Sequence, residues 1–140
     1  GCHHVIDYAR QDFVQEIWRL TDGHGVGIVF DSVGKDTFDG SLACLALRGH
    51  LVNFGQSSGP VPPVAMSRLS ARSLAVSRPV VFHYISDRPS LESIASEVFT
   101  AVAGGQMSVD APQRYALEDA SSAHRDLESR RTMGAPVLIP

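Results

Sequence analysis

Two short apolar segments constrain the fold of this chain more than any other feature of its sequence. GIVFD runs from Gly27 to Asp31, HLVNF runs from His50 to Phe54, and a glycine stands at or just before the start of each. Segments this short and this apolar are typical of strands that are buried on both faces of a parallel sheet. Because parallel strands need crossover connections, helices are expected between them.

Apolar residues at helical spacing lie before each of these two segments. The stretch from Gln11 to Leu20 carries four such residues and ends at a turn that contains glycine. A second helix is marked by Phe38, Leu42 and Leu45 and is predicted to end at Gly49. Each apolar segment is therefore preceded by a helix.

The second half of the chain contains the clearest helical stripe. Asp87 is suited to cap this helix, and a proline follows in its first turn. Five apolar residues share one face of the helix: Leu91, Ile94, Ala95, Val98 and Val102. Another helix, from Ala120 to Leu127, is predicted before a short last strand from Pro136 to Ile139.

Two further strands complete an alternating order of elements. They are predicted from His4 to Tyr8 and from Ser73 to Ser77. The full order is β-α-β-α-β, a loop, and then β-α, a short strand, and α-β. Such alternation indicates an α/β fold with a doubly wound parallel sheet.

Composition argues against several classes of function. The 140 residues are enough for one domain, and the twelve Lys and Arg residues are spread along the chain, so no nucleic-acid partner is expected. No apolar run approaches the roughly 20 residues that span a bilayer, so no membrane partner is expected either. Cys2 and Cys44 cannot form a disulfide framework, which favours a cytoplasmic location.

Metal-ligating side chains occur together at Cys2, His3 and His4. Adjacent residues on a strand point to opposite faces, so the three side chains cannot easily converge on one ion. No metal site is predicted.

Three segments follow predicted strands at the edge where a parallel sheet binds ligands. They are DSVG (31–34), FGQSSG (54–59) and SRP (77–79). Glycine allows a backbone to come close to a flat ligand, and hydroxyl and amide groups exchange hydrogen bonds. Each segment alone fits an ordinary turn between a strand and a helix, whereas three at one edge predict a ligand site.

These segments also carry a resemblance to a known family. GIVFDSVG (27–34), LVNFGQSSGPV (51–61), SRP (77–79) with Tyr84, and AHRDLESR (123–130) stand in order and at matching spacing. The chain resembles the zinc-independent quinone oxidoreductases of the medium-chain dehydrogenase/reductase superfamily over essentially its whole length. The resemblance implies a partial Rossmann-like fold, NADPH as cofactor and a quinone-type substrate.

The resemblance also implies roles for individual residues around the adenosine half of NADPH. Tyr8 corresponds to a tyrosine that packs near the adenosine and its 2'-phosphate. Ser32 and Val33 lie where the family's chain passes the adenine and ribose. Arg130 matches an arginine that helps to hold the 2'-phosphate, a role that suits a guanidinium. Without the resemblance, Arg130 would be read as a solvated residue at a helix end.

The nicotinamide half is assigned in the same way. Phe54, Gly55 and Gln56 fall in the loop that, by resemblance, runs past the nicotinamide ribose. His83 and Tyr84 would face the substrate cleft, yet the family is thought to pass hydride directly. No catalytic residue is assigned.

The resemblance implies that much of the parent protein is missing. Residues 1–140 would form an incomplete NAD(P)-binding domain with a C-terminal return segment, spanning strands three to six of the nucleotide fold. The first two strands, the glycine-rich turn that grips the pyrophosphate and the N-terminal GroES-like catalytic domain would be absent. The lack of a starting Met agrees with a chain that is entered midway.

Missing strands would leave a bare sheet edge on the segment from Gly27 to Asp31. Either the segment from His4 to Tyr8 pairs with it directly, or another chain fills the gap. At the other edge, the segment from Ser73 to Ser77 resembles the strand through which the family forms dimers. A homodimer through this strand is expected.

Three hypotheses of function remain. The first is the cofactor-binding portion of an NADPH-dependent quinone oxidoreductase, which transfers hydride to a quinone or related enone and is inactive as it stands. The second is a non-catalytic folded remnant or self-associating module. The third, a response-regulator-like signalling domain, is disfavoured because Asp7 stands nearly alone at the end of its strand.

Overall fold

The structure is a computed structural model that describes residues 2–109, 111–129, 131–132 and 134–140. The chain divides into two compact units, Gly1–Ser86 and Asp87–Pro140. Each unit is described by itself.

The helices and strands alternate along the chain. Unit 1 contains α1 (Phe13–Leu20), β1 (Val26–Asp31), α2 (Phe38–Ala43), β2 (Leu45–Asn53), α3 (Met66–Ser70), β3 (Ala75–Ser77) and α4 (Val81–Tyr84). Unit 2 contains α5 (Arg88–Ala103), β4 (Arg114–Ala116), a 3₁₀ turn (Leu117–Asp119), α6 (Ala120–Glu128) and β5 (Val137–Ile139). No helix within the described residues is long and apolar enough to cross a membrane.

Unit 1 is built on a parallel sheet in the order β1-β2-β3. Phe30 lies opposite Val52, and Val52 lies opposite Ser77. The strands therefore end nearly level, and the loops that follow them leave the same edge. This confirms the predicted α/β fold with a parallel sheet.

One face of this sheet carries the core of unit 1. Leu51 of β2 is fully buried and packs with Leu45 and with Phe38 and Leu42 of α2. Partly buried apolar side chains surround this cluster: Val29, Val61, Val64, Leu69 and Leu74. Burial of these side chains is the main stabilising contribution in unit 1.

The other face is exposed at β1, so the prediction that this strand is buried on both faces is wrong. Ile28 and Phe30 are 56% and 70% exposed. Their side chains alternate with Val29, which packs against the core. The reason is that β1 is an edge strand, and half of its apolar side chains point away from α2.

The segment from His4 to Tyr8 is not a strand, which corrects a second prediction. It runs as irregular chain and ends in a turn at residues 8–10. A strand exists only where its backbone pairs with a neighbour, and this segment does not pair with β1 among the described residues. Of the two arrangements expected for the bare edge, direct pairing of this segment does not occur.

The second helix is shorter than predicted. α2 ends at Ala43, and Leu45 already belongs to β2, where it is fully buried. The register explains this: Val26 pairs with Leu45, but Ile28 pairs with His50, so β2 contains an irregular loop between the two positions. Leu45 matched the helical spacing because a core residue fits either element.

The Arg72 side chain caps the C-terminal end of α2. Its guanidinium donates hydrogen bonds to the carbonyl oxygens of Leu42, Ala43 and Leu45 at 2.6–3.3 Å. It also lies 5.6 Å above the ring of Trp18, whose indole N–H donates to the Ala43 carbonyl at 3.2 Å. These contacts satisfy carbonyls that a helix end leaves unpaired and fix α1 against α2.

Unit 2 confirms the predicted helix start at Asp87. Its carboxylate accepts hydrogen bonds from the backbone N–H of Ser90 at 2.8 Å and from the Ser90 hydroxyl at 3.0 Å. The two short strands that the sequence predicts in this half pair with each other, β4 with β5, in parallel. They form a separate two-stranded sheet next to α6.

Candidate functional site

A cavity of about 340 Å³ lies beside the C-terminal end of β1. Tyr8, Ser32 and Val33 contribute to its wall together with Phe13 of α1 and Phe30 of β1. Tyr8 is 48% exposed, so this aromatic residue is only partly covered by the rest of the protein. The walls are mainly aromatic and aliphatic, which suits a flat ligand.

The loop after β1 is held by one buried carboxylate. Asp31 is 4% exposed, and its side chain accepts hydrogen bonds from the backbone N–H groups of Val33 and Gly34 at 2.8 and 3.0 Å. The hydroxyls of Thr37 and Ser41 donate to it at 2.9 Å. Four donors thus hold one carboxylate, and these hydrogen bonds restrain the loop.

The ionisation of Asp31 follows from this environment. Burial alone raises the pKa of its carboxyl, but hydrogen bonds from Gly34, Ser41, Val33 and Thr37 outweigh burial and hold the pKa below its ordinary value. Asp31 is therefore an ionised structural residue. Its oxygens are occupied by the protein, so it is not a candidate general base.

The loop after β2 is hydrogen-bonded to the loop after β1. The N–H groups of Phe54 and Gly55 donate to the Asp31 carbonyl at 2.9 and 3.3 Å. Further along, the N–H of Ser58 donates to the Val33 carbonyl at 2.9 Å. The buried Asn53 side chain donates to the Gly55 carbonyl at 3.1 Å. The two loops form one connected surface.

Two glycines permit this contact, and this changes their expected role. A Cβ on Gly55 would collide with the carbonyl oxygen of Ser32 and lie 2.8 Å from the Ser32 Cα. Gly34 has φ +90°, and a Cβ there would lie 2.9 Å from the Gly59 carbonyl. The sequence predicted glycines that let backbone approach a ligand, but these two let backbone approach backbone.

The third loop leaves the same edge after β3. Ser77 ends this strand, and its hydroxyl shares a hydrogen bond of 2.9 Å with Nε2 of His50 on β2. This contact joins β2 and β3 through their side chains.

The seven predicted site residues are distributed unevenly. Tyr8, Ser32 and Val33 line the cavity together. Three others, Phe54, Gly55 and Gln56, lie on the adjoining loop and not in the cavity wall, and the ring of Phe54 is 52% exposed. Arg130 lies outside the described residues.

Sequence reasoning missed part of the cavity wall. Phe13 and Ile17 of α1 were identified only as apolar residues at helical spacing in the stretch from Gln11 to Leu20, and Phe30 as part of a strand buried on both faces. The exposure of Phe30 could have been predicted from the run GIVFD, because an apolar strand at a sheet edge must expose one row of side chains. Among the described residues, no group of three or more His, Cys, Asp or Glu side chains could hold a metal ion.

Comparison with known proteins gives a consistent result. Residues 1–138 match the family model described as zinc-binding dehydrogenase. The chain is 44% identical to a quinone oxidoreductase of Salmonella typhimurium over 143 residues, covering 100% of this chain and 44% of that protein. It is 38% identical to a 2-haloacrylate reductase of Burkholderia over 142 residues, covering 100% of this chain and 43% of that protein. The chain thus spans less than half the length of these relatives.

A solved structure agrees in fold. Escherichia coli quinone oxidoreductase complexed with NADPH superposes with a TM-score of 0.91 at 43% identity, covering 100% of this chain and 44% of that one. The parallel sheet described above is therefore the Rossmann-like nucleotide-binding arrangement of these structures. Because the family model covers nearly every residue, the chain belongs to the zinc-binding dehydrogenase family.

Proposed function

We propose that this chain is the cofactor-binding portion of an NADPH-dependent quinone oxidoreductase. The observation that carries the proposal is the cavity that brings Tyr8, Ser32 and Val33 together at the carboxyl end of β1. Ligands of parallel α/β sheets bind at this edge. The similarity to a quinone oxidoreductase complexed with NADPH supports the choice of cofactor.

The cavity fits one half of a dinucleotide. Its volume of about 340 Å³ stands at the low end of small-molecule sites, which are roughly 300–1,000 Å³. The aromatic rings of Tyr8 and Phe13 suit stacking with adenine, and the Ser32 hydroxyl suits a ribose oxygen. Arg130 would pair with the 2'-phosphate.

The nicotinamide would lie along the loop of Phe54, Gly55 and Gln56. When bound, NADPH supplies a hydride. The exposed Phe54 ring and the Gln56 amide would orient the nicotinamide ribose and keep water from that side. A quinone and a 2-haloacrylate are both conjugated acceptors, so the relatives support an enone-type substrate for the intact protein.

The wider assignment rests on the same resemblance. Residues 1–140 would be an incomplete NAD(P)-binding domain with a return segment, and the GroES-like catalytic domain would lie in the rest of the protein. The intact enzyme would transfer hydride without zinc and work in the cytoplasm. The chain alone would bind cofactor without turning over substrate.

Titration with NADPH tests the proposal. We expect the chain to bind NADPH with a Kd tighter than about 100 μM, worth roughly 5.5 kcal/mol, measured by calorimetry or fluorescence. Tyr8→Ala should weaken binding about tenfold, because the base loses its stacking partner. Phe99→Ala removes an exposed aromatic ring that is not in the cavity wall and is the matched control. No binding at millimolar NADPH would reject the proposal.

A self-associating module is the second candidate function, and the edge position of β3 favours it. β3 ends the sheet order, and its Val76 is 38% exposed. Pairing through the segment from Ser73 to Ser77 would give a homodimer. Light scattering should then give twice the mass of one chain. Val76→Lys should return the mass to that of a monomer. A monomeric wild-type chain at high concentration would contradict this candidate.

A further inference from the structure

Ser58 joins the two loops through its side chain as well as its backbone. Its hydroxyl donates to the carbonyl oxygen of Val33 at 2.8 Å and accepts from the backbone N–H of Asp36 at 3.0 Å. The Ser58 N–H donates to the same Val33 carbonyl at 2.9 Å. One residue of the β2 loop therefore holds both ends of the turn after β1.

The position of Val33 depends on these contacts. Asp31 fixes the N–H side of the turn, since it accepts from the N–H of Val33. Ser58 fixes the carbonyl of Val33 and the N–H of Asp36, two residues before α2. The backbone of Val33, in the wall of the cavity, is thus held at both its N–H and its C=O.

Serine satisfies both demands of this position. A hydroxyl can donate one hydrogen bond and accept another at once, whereas an apolar side chain can do neither. Ser58 is half-buried, so water does not freely replace both partners. Ser67 of α3, in contrast, is exposed, and only its backbone carbonyl, not its hydroxyl, takes part in a hydrogen bond within the described part of the chain. The two serines therefore have different surroundings.

We infer that Ser58 is a positioning residue for cofactor binding, which acts by holding the Ser32–Val33 wall of the cavity through its hydroxyl. The inference rests on the proposed function, because it concerns the affinity for NADPH. It assigns no contact between Ser58 and the cofactor.

The test compares Ser58→Ala with Ser67→Ala in the full chain. We expect Ser58→Ala to weaken NADPH binding about threefold to tenfold, and to accelerate hydrogen exchange of the Asp36 amide about tenfold by NMR. Ser67→Ala, on α3 and outside the cavity wall, should change neither quantity. Exchange is measured without NADPH, so it reports the loop and not the cofactor.

A second pair of variants separates the hydroxyl from side-chain shape. Ser58→Thr and Ser58→Val have nearly the same shape, but only threonine keeps the hydroxyl. Ser58→Thr should restore affinity and exchange toward wild type, and Ser58→Val should behave like Ser58→Ala. Circular dichroism confirms that each variant folds. Equal affinity of the Thr and Val variants would overturn the inference.

The outcomes distinguish this inference from the proposed function. If the wild-type chain binds NADPH and Ser58→Ala binds it equally well, the positioning role is rejected and the proposed function stands. If the wild-type chain does not bind NADPH, both the proposed function and the cofactor role of Ser58 are rejected. Unchanged exchange at Asp36 would reject the hydroxyl bridge itself.

Discussion

The two faces of the three-stranded sheet are made of similar residues but differ in burial. On one face Leu51 is fully buried and Val29 packs on the same core. On the other face Ile28 and Phe30 are 56% and 70% exposed. Hydrophobicity does not distinguish the faces, because both carry large apolar side chains. The difference arises from where the chain returns, since α2 packs on only one of them.

The face on which α2 packs, here called the covered face, also holds the loop beside the cavity at the carboxyl edge of the sheet. Asp31 follows Val29 by two residues, so its side chain points to the covered face. There it meets the hydroxyls of Thr37 and Ser41, from the N-cap and body of α2. Packing on one face therefore fixes the loop at the end of β1.

The largest expected effect is loss of the core on the covered face. Leu51→Ala should lower the free energy of unfolding by about 3 kcal/mol, because it removes a fully buried side chain and leaves a cavity. Denaturant unfolding measures this. Val52→Ala, one residue later and on the opposite face, should cost no more than about 1 kcal/mol. Equal losses would contradict the difference between the faces.

The next effect concerns the buried carboxylate. Asp31→Asn should lower the free energy of unfolding by about 2 kcal/mol, because an amide cannot accept hydrogen bonds at both positions as a carboxylate does. Asp36→Asn alters an exposed carboxylate in the same loop and should change stability by less than about 0.5 kcal/mol. A cost as small for Asp31→Asn would show that the network does not stabilise the loop.

The pH dependence of the unfolding free energy also tests the contribution of Asp31 to stability. The folded pKa of Asp31 is lowered from the ordinary 3.8, so the unfolded chain binds this proton more readily. The stability that the group contributes is fully present above about pH 3.8 and is lost as the pH falls through the lower folded pKa. Acid titration of the unfolding free energy should show a shallower slope for Asp31→Asn than for wild type.

An effect of size comparable to that of Asp31→Asn is expected from crowding the two loops. Gly55→Ala should cost about 1–3 kcal/mol, because the added Cβ meets the backbone of Ser32. Gly27→Ala is the matched control, since a Cβ there meets no described atom within 4 Å. Thermal unfolding should separate the two variants. If both melt alike, the close approach of the loops is not a constraint.

The smallest effect on stability is expected on the exposed face. Phe30→Thr should change the free energy of unfolding by less than about 0.5 kcal/mol, because the ring is largely in water. Phe38→Thr, which alters a buried ring, should cost several times more. Phe30→Thr should also reduce aggregation, measured by light scattering, because it removes an exposed aromatic side chain at a sheet edge.

The sequence predicts the fold well where the signal is local. Glycine-bounded apolar runs identify β1 and β2, and the Asp87 cap identifies the start of α5. Prediction from the sequence fails where an element depends on residues that are distant along the chain. The segment from His4 to Tyr8 has the composition of a strand but lacks a pairing neighbour. The short helices α3 and α4 were missed because each has at most five residues, too few to show a helical period.

The site is predictable to a similar extent. The order of elements predicts that the loops lie at the carboxyl edge of the sheet. It also predicts that Ser32 and Val33, which follow the first apolar segment, lie at this edge. The role of Gly55 does not, because the sequence cannot tell whether a glycine makes room for a ligand or for another loop. The contribution of Phe13 to the cavity wall could not be predicted from the sequence either, because its apolar spacing fits a core position equally well.

The hydrogen-bonded loops after β1 and β2 have a consequence for protein engineering. Exchanging one loop for that of a relative, to change cofactor preference, would pair a new backbone with a partner shaped for the old one. Gly34, Gly55 and Ser58 each constrain atoms on the opposite loop. The two loops therefore form a single unit for transplantation, and chimeras should take both or neither.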